Sequence, residues 1–408
     1  MKLHGIKLEV INNQSTLSVQ IDSESIEESV LWFSVEKQYE QHISADRYDP
    51  FLVGLVYSAM KFGEDIVIEG TVSKKLLHNL NQYVIPLIQS YSPDTKKITI
   101  TATQVSSENF DGSGVGTGFS GGIDSFHTVY RHYELEKDPE FKINSFLFLN
   151  VGAHGYDGDE ITRTKFNNRY DYLRQYPDEV GVEFIAVDSN LPQFLKWGHQ
   201  KIHSISGAAG ILFLQKYYRR YYYASAGLRY AEAIKYADSY RDIDIGAYSD
   251  PIILPLLSTE STELVSDGMS HDRVEKTIDI LNYEPVYRYL NVCVSGDDTH
   301  ENCSICSKCS RTLMTLNSLG KLDDVKILFD IEKYKTEVEH TYMSRQVHNQ
   351  DDDPFAKSNV ELAEANGISL PSKAEAALVT TLYKSKKKAV KSMDEDTKIK
   401  LKNLLNKN

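Results

Sequence analysis

Between residues 115 and 225, short apolar runs alternate with amphipathic stretches of helical spacing, and that alternation admits few architectures. Two parallel strands need a long crossover, usually a helix, so repeated strand–helix–strand units imply a parallel sheet covered on its faces. The pattern predicts strands at Val115–Phe119, Asn144–Val151, Val182–Val187 and Arg220–Ser225, with helices at Asp124–Tyr133, about Glu160–Gln175 and Ile205–Tyr218. Upstream, residues 1–110 read as an α+β unit. Lys7–Val10 and Thr16–Gln20 form a hairpin around Asn12-Asn13, and a helix over Asp49–Lys61 has Asp49 as cap before Pro50. A strand at Asp65–Glu69, a helix at Ser73–Ile88 and a strand at Lys97–Ala102 follow. Beyond Pro251 the pattern is mostly helical, and from Asp330 it is charged as well. The expected organisation of the 408 residues is therefore an α+β domain at 1–110, an α/β domain at 111–329 and a helical region at 330–408.

Charge narrows the partners. The chain carries 45 Lys and Arg against 58 Asp and Glu, a net −13, and nine of the lysines lie in Lys384–Asn408 with only three acids. The preceding 383 residues thus hold −19, which repels phosphate backbones at long range and disfavours nucleic acid as a partner. No stretch approaches the 18 or so apolar residues of a membrane span. The N-terminus turns polar too soon for a secretory signal, so a cytoplasmic protein without membrane partners is expected.

Ser120-Gly121-Gly122-Ile123-Asp124-Ser125 falls between a predicted strand and a predicted helix. The glycines let backbone approach phosphate oxygens, and the N–H groups at a helix start lack intrahelical partners and point at an anion. Ser120 and Ser125 add hydroxyl donors, and Asp124 suits a Mg²⁺ ion accompanying a polyphosphate. A Walker loop is excluded, because no G-x-x-x-x-G-K-[ST] string occurs here. A dinucleotide fingerprint is formally present as Gly116-x-Gly118-x-x-Gly121, without the acidic residue expected about 20 positions on.

The string SGGIDS resembles the SGGxDS signature of the N-type PP-loop ATP pyrophosphatases. The resemblance implies a doubly wound parallel sheet of the adenine nucleotide hydrolase-like type, with the loop after its first strand. It implies that Ser120, Gly121, Gly122, Ile123, Asp124 and Ser125 hold the pyrophosphate end of ATP, with Ser120, Asp124 and Ser125 at the chemistry. Ligands of such sheets lie beyond the carboxyl ends of the strands, which places the adenosine near Leu149–Gly152, at Asn150 and Val151.

All four cysteines, Cys293, Cys303, Cys306 and Cys309, fall within 17 residues. A disulfide framework would spread them along the chain, whereas four thiolates at this spacing are the set of a closed tetrahedral zinc site. An iron–sulfur cluster and a catalytic thiol are the competing uses. A cysteine, a gap of nine, then C-x2-C-x2-C followed by Arg311 resembles the 7-cyano-7-deazaguanine synthase family. So does Pro255–Val265, PLLSTESTELV, although Ser261 stands where that family has lysine; Arg273 or Lys276 is the replacement cation nearby. The resemblance covers roughly residues 115–315. It implies an ATP-dependent enzyme that adenylylates a carboxylate or amide-like oxygen of a small molecule, releases pyrophosphate, and passes the adenylate to ammonia. ATP, Mg²⁺ and Zn²⁺ are the implied cofactors. Sulfur transfer to tRNA and a non-catalytic nucleotide-sensing module are the alternatives. A homodimer, and a protein partner engaged through residues 1–110, stay open.

Other residues carry weaker signals. His199 and His203 are spaced for one helix face, His203-Ser204 precedes a predicted helix start, and His154 follows the second strand. Asp157 and Asp159 sit in a glycine-bearing loop. Each reads more simply as structural or solvated. The same holds for the Lys216–Tyr223 run of bases and tyrosines, the Lys-rich tail and Asp351–Asp353.

Overall fold

The computed structural model describes residues 1–155, 160–195, 197–239, 246–293 and 300–392. They form two compact units, Met1–Leu290 and Asn291–Asn408. The first is built on one ten-stranded sheet. Strands β1 (Lys2–Ile11) and β2 (Gln14–Asp22) form the expected hairpin. Asn12 and Asn13 both adopt positive φ (50° and 62°), the conformation a two-residue hairpin turn requires and asparagine tolerates. Strand β3 (Val30–Glu36) is antiparallel to β2, while β4 (Ile66–Ser73) and β5 (Ile100–Ser106) add in parallel beyond β1. Strands β6 (Gly114–Gly118), β7 (Ser145–Leu149), β8 (Glu183–Ser189), β9 (Tyr218–Ala224) and β10 (Glu263–Asp267) are all parallel to their neighbours within this group. The spatial order is β10-β9-β6-β7-β8-β3-β2-β1-β4-β5. Chain order proceeds outward from β6 to β8, then returns to β9 and β10 on the other side. The sheet therefore has its topological switch point at β6, the strand that feeds the glycine loop.

Two features depart from the expected organisation. Residues 1–110 share their sheet with the α/β part, because β3 pairs antiparallel with β8 (Phe33↔Ser189, Ser34↔Asp188, Val35↔Val187). Asn190 extends the seam, accepting from Trp32 N–H at 2.8 Å and donating to the Val30 carbonyl at 2.8 Å. The whole sheet is consequently mixed, with an all-parallel half and a half in which two antiparallel pairings are followed by two parallel ones. The cause is legible in VLWFSVE: Leu31, Phe33 and Val35 alternate and are fully buried. The boundary to the helical region also lies earlier, at Leu290, than position 329.

Helix Asp49–Phe62 strengthens the union of the two halves. Its Gly54 lies so close to helix His199–Leu212 and the preceding turn that a Cβ there would stand 2.9 Å from Leu191 and 3.5 Å from Ala209. Asp49 is not the cap; Tyr48 takes that position. The Asp49 carboxylate is instead fully buried, accepting from Ser73 N–H at 2.7 Å and from the Gln215 amide at 3.0 Å. Burial pushes this carboxyl up to about 6, against the pull of those donors and of Arg47. The folded chain then holds more protons than the unfolded chain between about pH 4 and pH 6, so this group's contribution to stability falls as pH rises through that window and is level above it. We expect Asp49→Asn to remove a pH dependence of about 3 kcal/mol, read as the difference between wild-type and variant urea unfolding from pH 4 to pH 7. A difference that does not change with pH would contradict the assignment.

The second unit is helical. Helices Ser307–Ser318, Ile331–Glu337, Glu339–Asn349, Pro354–Ala365 and Lys373–Lys391 pack through small clusters, one of Met314, Tyr342, Met343 and Ala363, another of Val347, Val360 and Ala376. Among the described residues, no helix is long and apolar enough to cross a membrane.

Candidate functional site

The loop Ser120–Ser125 leaves the carboxyl end of β6. Phe119 closes the strand by donating its N–H to the Leu147 carbonyl at 3.1 Å, and the exposed Ser120 follows. Gly121 turns the chain at φ 74°, a left-handed conformation that a side chain would strain. Gly122 is the N-cap of the helix over Ile123–Val129, which continues as a wider turn over Tyr130–Leu135. Ile123, Phe126 and Val129 are buried, so the first turn is fixed from below. The buried Ser125 hydroxyl donates to the Gly122 carbonyl at 3.0 Å and lies 3.3 Å from the Ser120 hydroxyl, bracing the loop from inside. Thr128 and His132 of the same helix hold Asp267, the last residue of β10, at 2.7 and 2.8 Å.

Three cations reach this loop or its helix. Arg169, from helix Glu160–Leu173, donates to the Ser120 carbonyl at 3.2 Å. Arg273 and Lys276 come from helix Arg273–Ile280, which is started by a capping box of Asp272 and Glu275. They approach the Asp124 carboxylate at 2.7 and 3.5 Å. Lys276 is wholly buried, and its ammonium donates to the Ser225 carbonyl at 2.9 Å and hydroxyl at 2.8 Å, at the end of β9. Burial lowers its pKa, Asp124 raises it, and Arg273 lowers it further. The Asp124 oxygens thus face Arg273 and Lys276. As arranged, the carboxylate is a counter-ion, not an open magnesium ligand, and Asp124 belongs to no group of three or more metal-ligating side chains among the described residues.

Ser261 lies away from this cluster. It precedes β10, at the opposite end of that strand from Asp267, where it is buried and its hydroxyl accepts from Phe110 N–H at 2.9 Å. The hydroxyl stands at the amino end of the parallel strands, whereas the loop lies at their carboxyl end. Arg273 and Lys276, expected as replacement cations, are the ones at the loop.

Asn150 and Val151 follow β7 and are both buried. Asn150 donates its side-chain amide to Asp188 at 2.7 Å, and its side-chain carbonyl oxygen is buried without a hydrogen-bond partner among the described residues. Asp188 also pairs with Arg163 at 3.2 Å. These two residues border a groove of about 900 Å³ whose walls include Trp32, Ser34, Phe166 and Tyr170, so β3 of the first 110 residues supplies one side of it.

His154, His203 and the tyrosine run of β9 take structural places. His154 packs between Phe148 and Phe166, with ring centroids at 5.1 and 5.4 Å, and burial pushes it down to about 4, helped by Arg169. The helix expected from Ile205 begins at His199, so His203 lies within it and not before its start. His203 pairs with Asp250 at 3.2 Å, an oxygen set shared with Ser204. His199 and His203 join no metal-capable group among the described residues. Asp157 and Asp159 lie outside the described residues. In the tyrosine run, Tyr218, Tyr221 and Tyr222 are buried on β9, while Arg219 and Arg220 pair with Glu140 and Glu263. Asp353 caps helix Pro354–Ala365.

In the second unit, the Sγ atoms of Cys293, Cys303, Cys306 and Cys309 all lie within 4.8 Å of one another, with Cys293 and Cys306 at 4.0 Å. Four Zn–S bonds of about 2.3 Å in a tetrahedron separate sulfurs by roughly 3.8 Å, so the set fits one ion. Backbone N–H groups point at the sulfurs: Cys303 to Cys293 at 3.5 Å, Cys306 to Cys303 at 3.3 Å, Cys309 to Cys306 at 3.5 Å. Such donors stabilise thiolates. None of the four is in a disulfide. Arg311 stacks over Phe355 at 4.7 Å within the same unit.

Comparison with protein-family models, with curated proteins and with solved structures finds no match to this chain.

Proposed function

We propose that this chain is an ATP-dependent adenylylating enzyme that forms AMP and pyrophosphate while activating a carboxylate or amide-like oxygen of a small molecule. One observation carries the reading: a loop turned by Gly121 at the sheet's switch point, opening onto a helix start and attended by Arg169, Arg273 and Lys276 in a strongly acidic chain. The substrate oxygen attacks the α-phosphorus, and the bond to the bridging oxygen of pyrophosphate breaks. Charge then accumulates on the departing pyrophosphate, where the loop N–H groups, the Ser120 hydroxyl and the three cations stabilise it by position and electrostatics. Asp124 keeps Arg273 and Lys276 aimed at the loop. Ammonia attacks the adenylate, and AMP leaves. The four-cysteine group serves as a structural zinc site, because four protein thiolates leave no open position.

Sulfur transfer to tRNA fits less well, since it needs a reactive thiol and every cysteine belongs to the clustered set. The test is product analysis with MgATP, ammonium and a small-metabolite extract. Wild type is expected to release AMP and pyrophosphate, and Ser120→Ala to reduce that release about tenfold, the order of one hydrogen bond to a charged group. ATP bound without any AMP in any fraction would favour the nucleotide-sensing alternative.

A further inference from the structure

We infer that His127, His271 and Asp279 form a second metal site, one that takes a divalent first-row transition ion through two imidazoles and a carboxylate. The site lies one helical turn beyond the phosphate loop and does not depend on the reaction proposed above. His127 follows Asp124 by one turn on the loop helix, and Asp279 follows Lys276 by one turn on helix Arg273–Ile280. His271 sits just before that helix begins. The ligand atoms of the three residues all lie within 4.8 Å of one another. Asp279 Oδ2 is 3.3 Å from His127 Nε2 and 3.6 Å from His271 Nε2. For metal–ligand bonds of about 2.1 Å, such separations subtend roughly 100–120°, the range of a tetrahedral or distorted tetrahedral ion.

A second observation points to a ligand. His127 is fully buried, yet among the described residues neither of its ring nitrogens makes a hydrogen bond. Its 3.3 Å approach to Asp279 lacks hydrogen-bond alignment, so the carboxylate stands beside the nitrogen without accepting from it. Leaving a buried imidazole nitrogen unsatisfied is costly, and an ion between the two groups satisfies Nε2 and the carboxylate. His271 is oriented from behind: its Nδ1 meets the Ser270 hydroxyl at 2.8 Å while Nε2 faces the cluster, the outer-shell arrangement that fixes a metal-binding imidazole. The Lys276 ammonium lies on the Nδ1 side of His127, near Gly268, and is engaged by Asp124 and Ser225. His271 and Asp279 are 27% and 32% exposed, which leaves an entry path and room for a water as fourth ligand. Nitrogen and oxygen donors distinguish this site from the four-cysteine group. An ion here would clamp the loop helix to helix Arg273–Ile280, and with them the spacing of Asp124, Arg273 and Lys276.

The test uses the full-length protein as purified, dialysed against Co²⁺ and freed of unbound metal. Elemental analysis should give two divalent ions per chain. One of them should be cobalt with weak ligand-field bands and no thiolate-to-cobalt charge-transfer absorption. His271→Ala and Asp279→Asn, both at partly exposed positions and checked for native circular dichroism, should each lose that one equivalent and keep the thiolate-bound ion. A single, thiolate-bound equivalent in wild type, or a nitrogen–oxygen equivalent that survives in either folded variant, overturns the inference.

Discussion

A chain carrying Cys306→Ser should lose the ion that its four-cysteine group is built to hold and, with it, the cooperative fold of the second unit. Besides the thiolates, the start of that unit is held by hydrogen bonds: Asn302 accepts from the Val292 and Cys293 N–H groups, and Ser304 from Asp330 N–H. His300 and Ser304 both adopt positive φ, and the first regular element after the knuckle is helix Ser307–Ser318, whose N-cap is Cys306 itself. Serine could still cap that helix, so the expected damage comes from the lost ligand. Structural zinc contributes about 10–16 kcal/mol of apparent folding energy in small sites, as much as the whole stability of an ordinary domain. Limited proteolysis of the variant should degrade residues 291–408 while a fragment ending near Leu290 survives. A chelator acting on wild type should reproduce the pattern, and added zinc should reverse it. Unchanged protection after complete metal removal would show that the thiolates do not hold this fold.

Lys276→Met should lower AMP and pyrophosphate release by about a hundredfold or more, the order seen when one preorganised group facing transition-state charge is removed. Methionine fills a similar buried volume, and Asp124 keeps Arg273 as its partner at 2.7 Å, so the fold should persist. The loss should appear in kcat more than in KM, because charge on the departing pyrophosphate grows only as the bond breaks. Equal release by the variant and wild type would remove Lys276 from the reaction.

Four of the five strands of the parallel half could be read directly from the chain, because each is a short apolar run beside a helical pattern. The loop was legible for the same reason: Gly121 and Gly122 mark a turn that β6 and the next helix frame. Four parts were not legible. The β3–β8 pair joins residues about 155 positions apart, and periodicity within VLWFSVE cannot say which strand it will meet. Arg169 meets Ser120 only because consecutive βα units stack their helices on one face; nothing local in TRTKFNNRY marks that arginine. The His127, His271 and Asp279 group comes from two helices, with no short motif. By contrast, the four cysteines are concentrated enough for spacing alone to bring them together. Strand β10 begins only with the last three residues of PLLSTESTELV and runs on to Asp267, so that string carries little strand pattern of its own. Ser261 stands at the amino end of that strand, away from the glycine loop, which only the paired course of the strands reveals.

The antiparallel seam gives the first 110 residues a protective task whatever else they bind. Without β3, the outer edge of β8 would present unpaired N–H and C=O groups beside buried Val187, a ready template for another chain. Nature commonly shields such margins with charges, bulges or a covering loop. Here the shield is a whole five-stranded extension, and the sheet's exposed margin is moved outward to β5, a strand bearing mostly polar side chains.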